Sequence, residues 1–207
     1  MKDKHFIDSH KVVTGLYILL LMAYFNQWNN VTLWVYLALH GTYGLLWVFK
    51  SRVFPDKRWN QPTSLVRGIV FWWVGLTGYW IAPFIIASKS VQAPYWVLAL
   101  AISLNIVGTM FHFASDIQKY TELKIKPNHL ITDGFWQLSR NPNYFGEFLI
   151  YSSFALLALH WLPWVVLGFI IIVVWIPYMR SKDKSISRYA EFGEYKAHIR
   201  SFIPFLI

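Results

Sequence analysis

Leu162-Pro163-Trp164-Val165-Val166-Leu167-Gly168-Phe169-Ile170-Ile171-Ile172-Val173-Val174-Trp175-Ile176-Pro177-Tyr178-Met179 holds eighteen residues and no charge. A helix rises about 1.5 Å per residue, so the run approaches the thickness of a bilayer's hydrocarbon core, which takes roughly 17–25 residues to cross. Hydrocarbon offers no water to backbone N–H and C=O groups, so such a run must close its hydrogen bonds internally, as a helix. Working outward, five more apolar segments have the same character: 12–28, 31–49, 65–87, 94–114 and 144–159, the last at the short end. With 162–179 they predict an all-α, polytopic integral membrane protein of about six transmembrane helices.

The composition agrees. Of the 207 residues, 56% are hydrophobic and only 14% charged, and the charges are bunched between long bare runs. A soluble domain of this size is excluded. The net charge of +9 would suit a nucleic-acid partner, but the basic residues fall in connections between spans. Lys2, Lys4 and Lys11 precede the first span, and Lys50, Arg52, Lys57, Arg58 and Arg67 separate the second from the third. Lys119, Lys124, Lys126 and Arg140 separate the fourth from the fifth, and Arg180, Lys182, Lys184, Arg188, Lys196 and Arg200 follow the sixth. The alternate connections are bare apart from Lys89. This positive-inside pattern predicts both termini on the cytoplasmic side, membrane lipids as the surroundings and no nucleic-acid partner. The charged N-terminus leads into a run with no small-residue cleavage site, which predicts a retained span. No cysteine is present, which removes thiolate chemistry and cysteine-ligated metals.

Two polar stretches remain. Residues 116–140 are too polar to span. Residues 180–204 carry Ile186, Tyr189, Phe192, Tyr195 and Ile199 at three- and four-residue spacing, which predicts an amphipathic cytoplasmic C-terminal helix. The chain forms one domain, 1–207, without an internal repeat.

The candidate chemistry lies at the span ends. Glu147 and Asp116 are the acids that border apolar runs, and an ionisable group there is costly enough to suggest function. His112 precedes Asp116 by four residues, so the two share a helix face. Taken alone, a helix-end ion pair is the better account of that pair, and topology explains most of the cations. Dinucleotide and phosphate-loop glycine motifs are missing, and the histidines lack metal-site spacing, so no metal is expected. His40 and Tyr43 stand near the middle of the second span, where they line a cavity or make an interhelical hydrogen bond.

One segment carries a resemblance. Leu130-Ile131-Thr132-Asp133-Gly134-Phe135-Trp136-Gln137-Leu138-Ser139-Arg140-Asn141-Pro142-Asn143-Tyr144-Phe145-Gly146-Glu147 resembles the C-terminal signature of the steroid 5-alpha-reductases, the C14 sterol reductases and their bacterial relatives. Ser115-Asp116-Ile117-Gln118-Lys119 and the tail from Phe192-Gly193-Glu194-Tyr195 to Phe202-Ile203-Pro204-Phe205 resemble it too. Together these cover roughly the C-terminal half. The wider superfamily includes isoprenylcysteine carboxyl methyltransferases. The acid after the glycine, Glu147, favours the reductases, and so does Lys182-Asp183-Lys184 where the methyltransferases carry paired glutamates.

The resemblance implies an NADPH-dependent reductase of an activated C=C bond in a lipophilic substrate of steroid, sterol or isoprenoid kind. The substrate would enter from the bilayer of, for the bacterial branch, the inner membrane. Spans one to four, 12–114, would form the substrate side, and 115–207 the cofactor side. Asn143 and Glu147 would hold the nicotinamide carboxamide, with Tyr144 between them. His112 and Asp116 would contact the nucleotide, Arg180, Lys184, Arg188 and Tyr195 would lie near the cofactor, Lys124 would lie on its phosphate side, and Arg140 is among the cations suited to phosphates. Tyr43 or His40 would be the catalytic acid. Asn141 stands where the family has histidine, Lys184 and Arg188 where its tail has histidine and tyrosine, and its substrate-side glutamate has no counterpart in the first two spans. The rival expectation is an S-adenosylmethionine-dependent membrane methyltransferase.

Overall fold

The computed structural model describes residues 1–206. Among them the protein is all-helical, with a single isolated bridge between Lys2 and Pro62 as its extended pairing. The helices are α1 (Asp3–Tyr24), α2 (Val31–Val53), α3 (Leu65–Ser88), α4 (Tyr95–Ile125), α5 (Pro142–Leu157), α6 (Trp161–Ile186) and α7 (Phe192–His198). Five of them, α1, α2, α3, α4 and α6, are long and apolar enough to cross a membrane. Large apolar side chains such as Val66 and Phe71 on α3, and Phe169 and Ile172 on α6, are exposed, as a lipid solvent requires. The chain is a polytopic membrane protein.

Three elements differ from expectation, each for a physical reason. The segment expected at 144–159 is helical, but α5 has 16 residues and reaches only about 24 Å, short of the hydrocarbon thickness. Pro142 begins it, where the missing N–H costs nothing. The polar stretch after residue 115 is not a separate element at its start: α4 continues through 31 residues and carries His112, Asp116, Lys119 and Lys124 on one rod. The single amphipathic helix expected over 180–204 is divided instead. Residues 180–186 extend α6, the Ser187 hydroxyl turns back to the Lys184 carbonyl at 2.9 Å, and seven-residue α7 begins at Phe192. Burial of Phe192 and Tyr195 fixes α7, so tertiary packing overrides the local period.

The chain forms two compact units. The first comprises residues 1–105 and 152–166. In it α1 and α2 lie so close that a Cβ on Gly44 would stand 2.6 Å from the Lys11 carbonyl oxygen. The start of α1 is tied down by Trp72, whose indole N–H donates to the Asp3 carboxylate at 2.7 Å, and an acid there also suits the helix dipole. α3 is irregular, with a π-helical stretch at Gly68–Val74 and a 3₁₀ turn at Thr77–Trp80. Pro83 follows, and its missing N–H leaves the Tyr79 carbonyl without its helical donor. The Tyr36 hydroxyl fills that vacancy at 3.4 Å.

The second unit comprises residues 106–151 and 167 onward. Here α4 meets α5 through two glycines. A Cβ on Gly146 would lie 2.6 Å from the Gly108 carbonyl, and one on Gly108 would lie 2.7 Å from the Gly146 carbonyl. Small residues facing each other are how helices approach closely in a membrane.

Candidate functional site

The glycine contact brings the polar face of α4 against the start of α5. His112 is 2% exposed, and its Nδ1 lies 3.3 Å from the Asn143 carbonyl oxygen. A carbonyl only accepts, so Nδ1 carries the proton. The same ring stands between two carboxylates: Nε2 is 4.0 Å from Asp116 and Nδ1 is 3.9 Å from Glu147. Four residues expected at a cofactor therefore form one group, with His112 and Asp116 buried and Asn143 and Glu147 partly so. The Asn143 side-chain oxygen is buried and has no hydrogen-bond partner among the described residues. An orphaned acceptor of this kind costs about 1–3 kcal/mol, which a donor arriving from a ligand would return. The Tyr144 ring lies 5.7 Å from that of Trp175.

Arg140 is held within the protein. Its guanidinium makes a two-pronged contact with Asp183, at 3.3 and 2.9 Å, and also donates to the Ile199 carbonyl. Its neighbours grip the tail as well. The Arg140 backbone amide donates to the Arg200 carbonyl at 2.8 Å, the Ser139 hydroxyl to the Phe202 carbonyl at 2.8 Å, and the Asn141 side-chain Nδ2 to the Ser201 carbonyl at 2.7 Å. Lys182 completes this knot: its ammonium donates to the Arg140 carbonyl and, at 2.9 Å, to the Asn141 side-chain oxygen, and it lies 4.1 Å from the centre of the Trp136 ring. Tyr195 donates its hydroxyl to the Trp136 carbonyl at 2.6 Å. Burial raises the Tyr195 phenol's pKa, so it remains a donor.

Lys124, Arg180, Lys184 and Arg188 are exposed cations on this same unit. Arg188 meets the Tyr189 hydroxyl at 2.9 Å, and Lys124 lies 5.7 Å from the Tyr120 ring centre. None of the four is hydrogen-bonded or ion-paired to the His112 group among the described residues. Gln118, from the resembling Asp116–Lys119 run, has a structural task. Its side chain bonds the Asp133 carbonyl and the Phe135 amide, each at 3.1 Å, and fastens the turn in which Gly134 takes a φ of 55°.

The first unit holds the expected catalytic pair. Tyr43 and His40 are each 1% exposed. The His40 ring stacks on Phe154 at 4.2 Å, and its Nδ1 lies 3.1 Å from the Tyr36 hydroxyl. That hydroxyl already donates to the Tyr79 carbonyl, so His40 supplies the proton of the bond from Nδ1, and its Nε2 is left as an acceptor. In this tautomer His40 is poorly suited to donate a proton. The bond that fixes His40 lies within α2, not between helices.

Sequence reasoning missed Tyr36, Lys182 and Asp183. Tyr36 is one turn before His40 on the same face, and Pro83 signals the carbonyl it serves. Lys182 and Asp183 stood out only as a departure from the methyltransferase pattern.

A family model described as "Protein of unknown function (DUF1295)" matches residues 9–199. The chain is also similar to an uncharacterized protein of Schizosaccharomyces pombe, with 29% identity over 76 residues, 35% of this chain and 26% of that protein. The match thus spans little more than a quarter of that relative's length.

Proposed function

We propose that this chain, which belongs to the DUF1295 family, is an NADPH-dependent membrane reductase of an activated C=C bond in a lipophilic, steroid-, sterol- or isoprenoid-like molecule. The group of His112, Asn143 and Glu147, with its buried and orphaned Asn143 side-chain oxygen, carries the reading. A nicotinamide carboxamide has an NH₂ to give and an oxygen to receive. Asn143 offers the missing acceptor for the first, and its own NH₂ suits the second. Glu147 adds a carboxylate beside it. The residues present therefore fit the group.

NADPH, when bound, supplies hydride. The protein's part is to hold and to polarise. The proton on His112 Nδ1 fixes the Asn143 backbone, which sets the direction of the Asn143 side chain. Lys124, Arg180, Lys184 and Arg188 supply positive charge for phosphates, and arginine matches them with a planar fork. Arg140, engaged with Asp183, acts by holding the tail in place. In the first unit, buried Tyr43 stays a neutral phenol and donates to a substrate oxygen as charge grows on it. A lipophilic substrate would enter from the bilayer. On the positive-inside rule the basic segments favour a cytoplasmic side for both termini, where NADPH would be available.

Thermal stability of the detergent-purified protein tests this reading, because a ligand that binds only the folded state raises it. NADPH is expected to stabilise the protein, and Glu147→Gln or Asn143→Leu to remove that effect. Stabilisation by S-adenosylmethionine alone would replace the reductase with a methyltransferase. Stabilisation by neither would leave a non-catalytic membrane protein.

A further inference from the structure

His10, on α1, is a buried polar group that the proposed chemistry does not use. It is 1% exposed, and neither ring nitrogen has a hydrogen-bond partner among the described residues. A neutral imidazole carries one N–H donor and one acceptor nitrogen, and burial with both unmet is costly. A histidine that only fills space ordinarily satisfies at least one of them.

Two indoles from α3 enclose the ring. His10 stacks on Trp80, with centres 4.9 Å apart and planes 18° from parallel, and stands edge-on to Trp73 at 5.6 Å. Tyr17 also stacks on Trp80, at 4.4 Å. Both indoles are pinned to α1 at residues that flank His10 in sequence. Trp73 donates to the Ser9 hydroxyl at 3.1 Å, and Trp80 to the Thr14 hydroxyl at 2.8 Å. An indole has a single donor and no acceptor, so with these bonds made neither can serve His10. Thr14 gives its own proton to the His10 backbone carbonyl at 2.8 Å. The backbone of α3 is irregular where it forms these walls: Trp73 lies in the π-helical stretch Gly68–Val74, and Trp80 closes the 3₁₀ turn Thr77–Trp80. Residues seven apart on a regular helix stand roughly 10 Å apart along it. Here the two ring centres are 5.6 Å apart. Departures of this kind are frequent at functional sites.

The depth of the ring points to the ligand. His10 follows Asp3, Lys4 and Asp8 at the start of α1 and precedes the apolar run that opens at Val12. It therefore lies at the boundary between headgroups and hydrocarbon. A hydroxyl suits this ring best. It both gives and accepts a hydrogen bond, so it complements whichever nitrogen it meets, and being uncharged it can follow an apolar tail between two indoles.

We propose that His10, with the indoles of Trp73 and Trp80, forms a binding site for a lipophilic alcohol, whose hydroxyl meets an imidazole nitrogen while its apolar body stays in the bilayer. The ring is covered in this structure, and Trp73 is the cover that moves. Its bond to α1 is the longer of the two, and Ser9 is exposed. The site belongs wholly to the first unit. It uses none of the residues given a part in the proposed reaction, and it stands whether or not the protein is a reductase.

The probe is a dodecanol that carries a photoactivatable diazirine on its chain. The matching diazirine alkane, without the hydroxyl, is its control. Photolysis with the detergent-purified protein and peptide mass spectrometry read where each attaches. The alcohol is expected to mark residues 9–17 and 73–80 roughly five-fold or more above the alkane, the effect of one hydrogen bond. His10→Phe keeps a stacking ring without its nitrogens and should erase that excess, whereas Trp73→Ala should raise it. Should His10→Phe fail to fold, His10→Gln, which keeps a donor and an acceptor, is compared with His10→Leu, and only the first should retain an excess. Equal marking by alcohol and alkane in the wild type overturns the proposal, and so does an undiminished excess in His10→Phe or His10→Leu.

Discussion

Gly146 sits so close to Gly108 that a Cβ on it would lie 2.6 Å from the Gly108 carbonyl oxygen. The glycine of the Asn143–Glu147 motif is therefore a contact between helices, and through that contact His112 reaches the Asn143 carbonyl.

Gly146→Ala should push α5 from α4. Overpacking of this kind costs roughly 1–3 kcal/mol, so the melting temperature in detergent falls and NADPH stabilisation falls with it. Gly168→Ala is the control, because a Cβ there meets nothing within 4 Å. Equal melting temperatures for the two variants would remove the glycine contact from the account.

Arg140→Ala should free the tail. The side chain's bonds to Asp183 and Ile199 are charge-assisted, worth roughly 1.5–3 kcal/mol each when measured by deletion. Limited proteolysis should cut near α7 faster in this variant. Arg140→Lys should recover only part of the protection, since an ammonium cannot reproduce the two-pronged contact.

Tyr195 gives the protein an alkaline limit. Burial, the largest influence, raises the phenol above its usual value of 10.0, so the folded state holds the proton more tightly than the unfolded chain. Its contribution is complete below about pH 10 and declines as pH rises beyond that. Tyr195→Phe should lose about 1 kcal/mol at neutral pH, from the bond to the Trp136 carbonyl. Its stability curve should also be flatter above pH 10 than that of the wild type.

Tyr43→Phe should lower turnover of an enone by about 10²–10⁴-fold, the usual size of a general-acid contribution, with NADPH affinity unchanged. Tyr36→Phe should have a smaller effect on rate and a distinct one on pH dependence, because it releases His40 from a single tautomer. If Tyr36→Phe proves as damaging as Tyr43→Phe with the same pH profile, the roles assigned to the two phenols are wrong.

The long helices were legible because lipid imposes one rule on every residue of a span. Residues 162–179 could be nothing else. The same rule says little about where a helix stops once it has left the hydrocarbon, so the extension of α4 through Lys124 and that of α6 through Ile186 were not readable. The division of the tail was hidden for a different reason. It depends on Tyr195 reaching Trp136, a partner 59 residues away. At the candidate site, Asn143 and Glu147 stood out as polar residues in an apolar setting. Gly108 did not, because its partner is Gly146 and pairing of that kind has no signature in a single sequence.

The knot of Ser139, Arg140 and Asn141 around the tail has a consequence for how relatives of this protein should be recognised. These three residues close the chain upon itself and face inward, so a sequence that keeps them reveals how its end is fastened and nothing about what it consumes. A pseudoenzyme and a working catalyst would share them equally. The informative letters begin two positions later, at Asn143, and extend to Glu147. On the proposed reading, sorting related sequences by that pair would group them by chemistry rather than by ancestry.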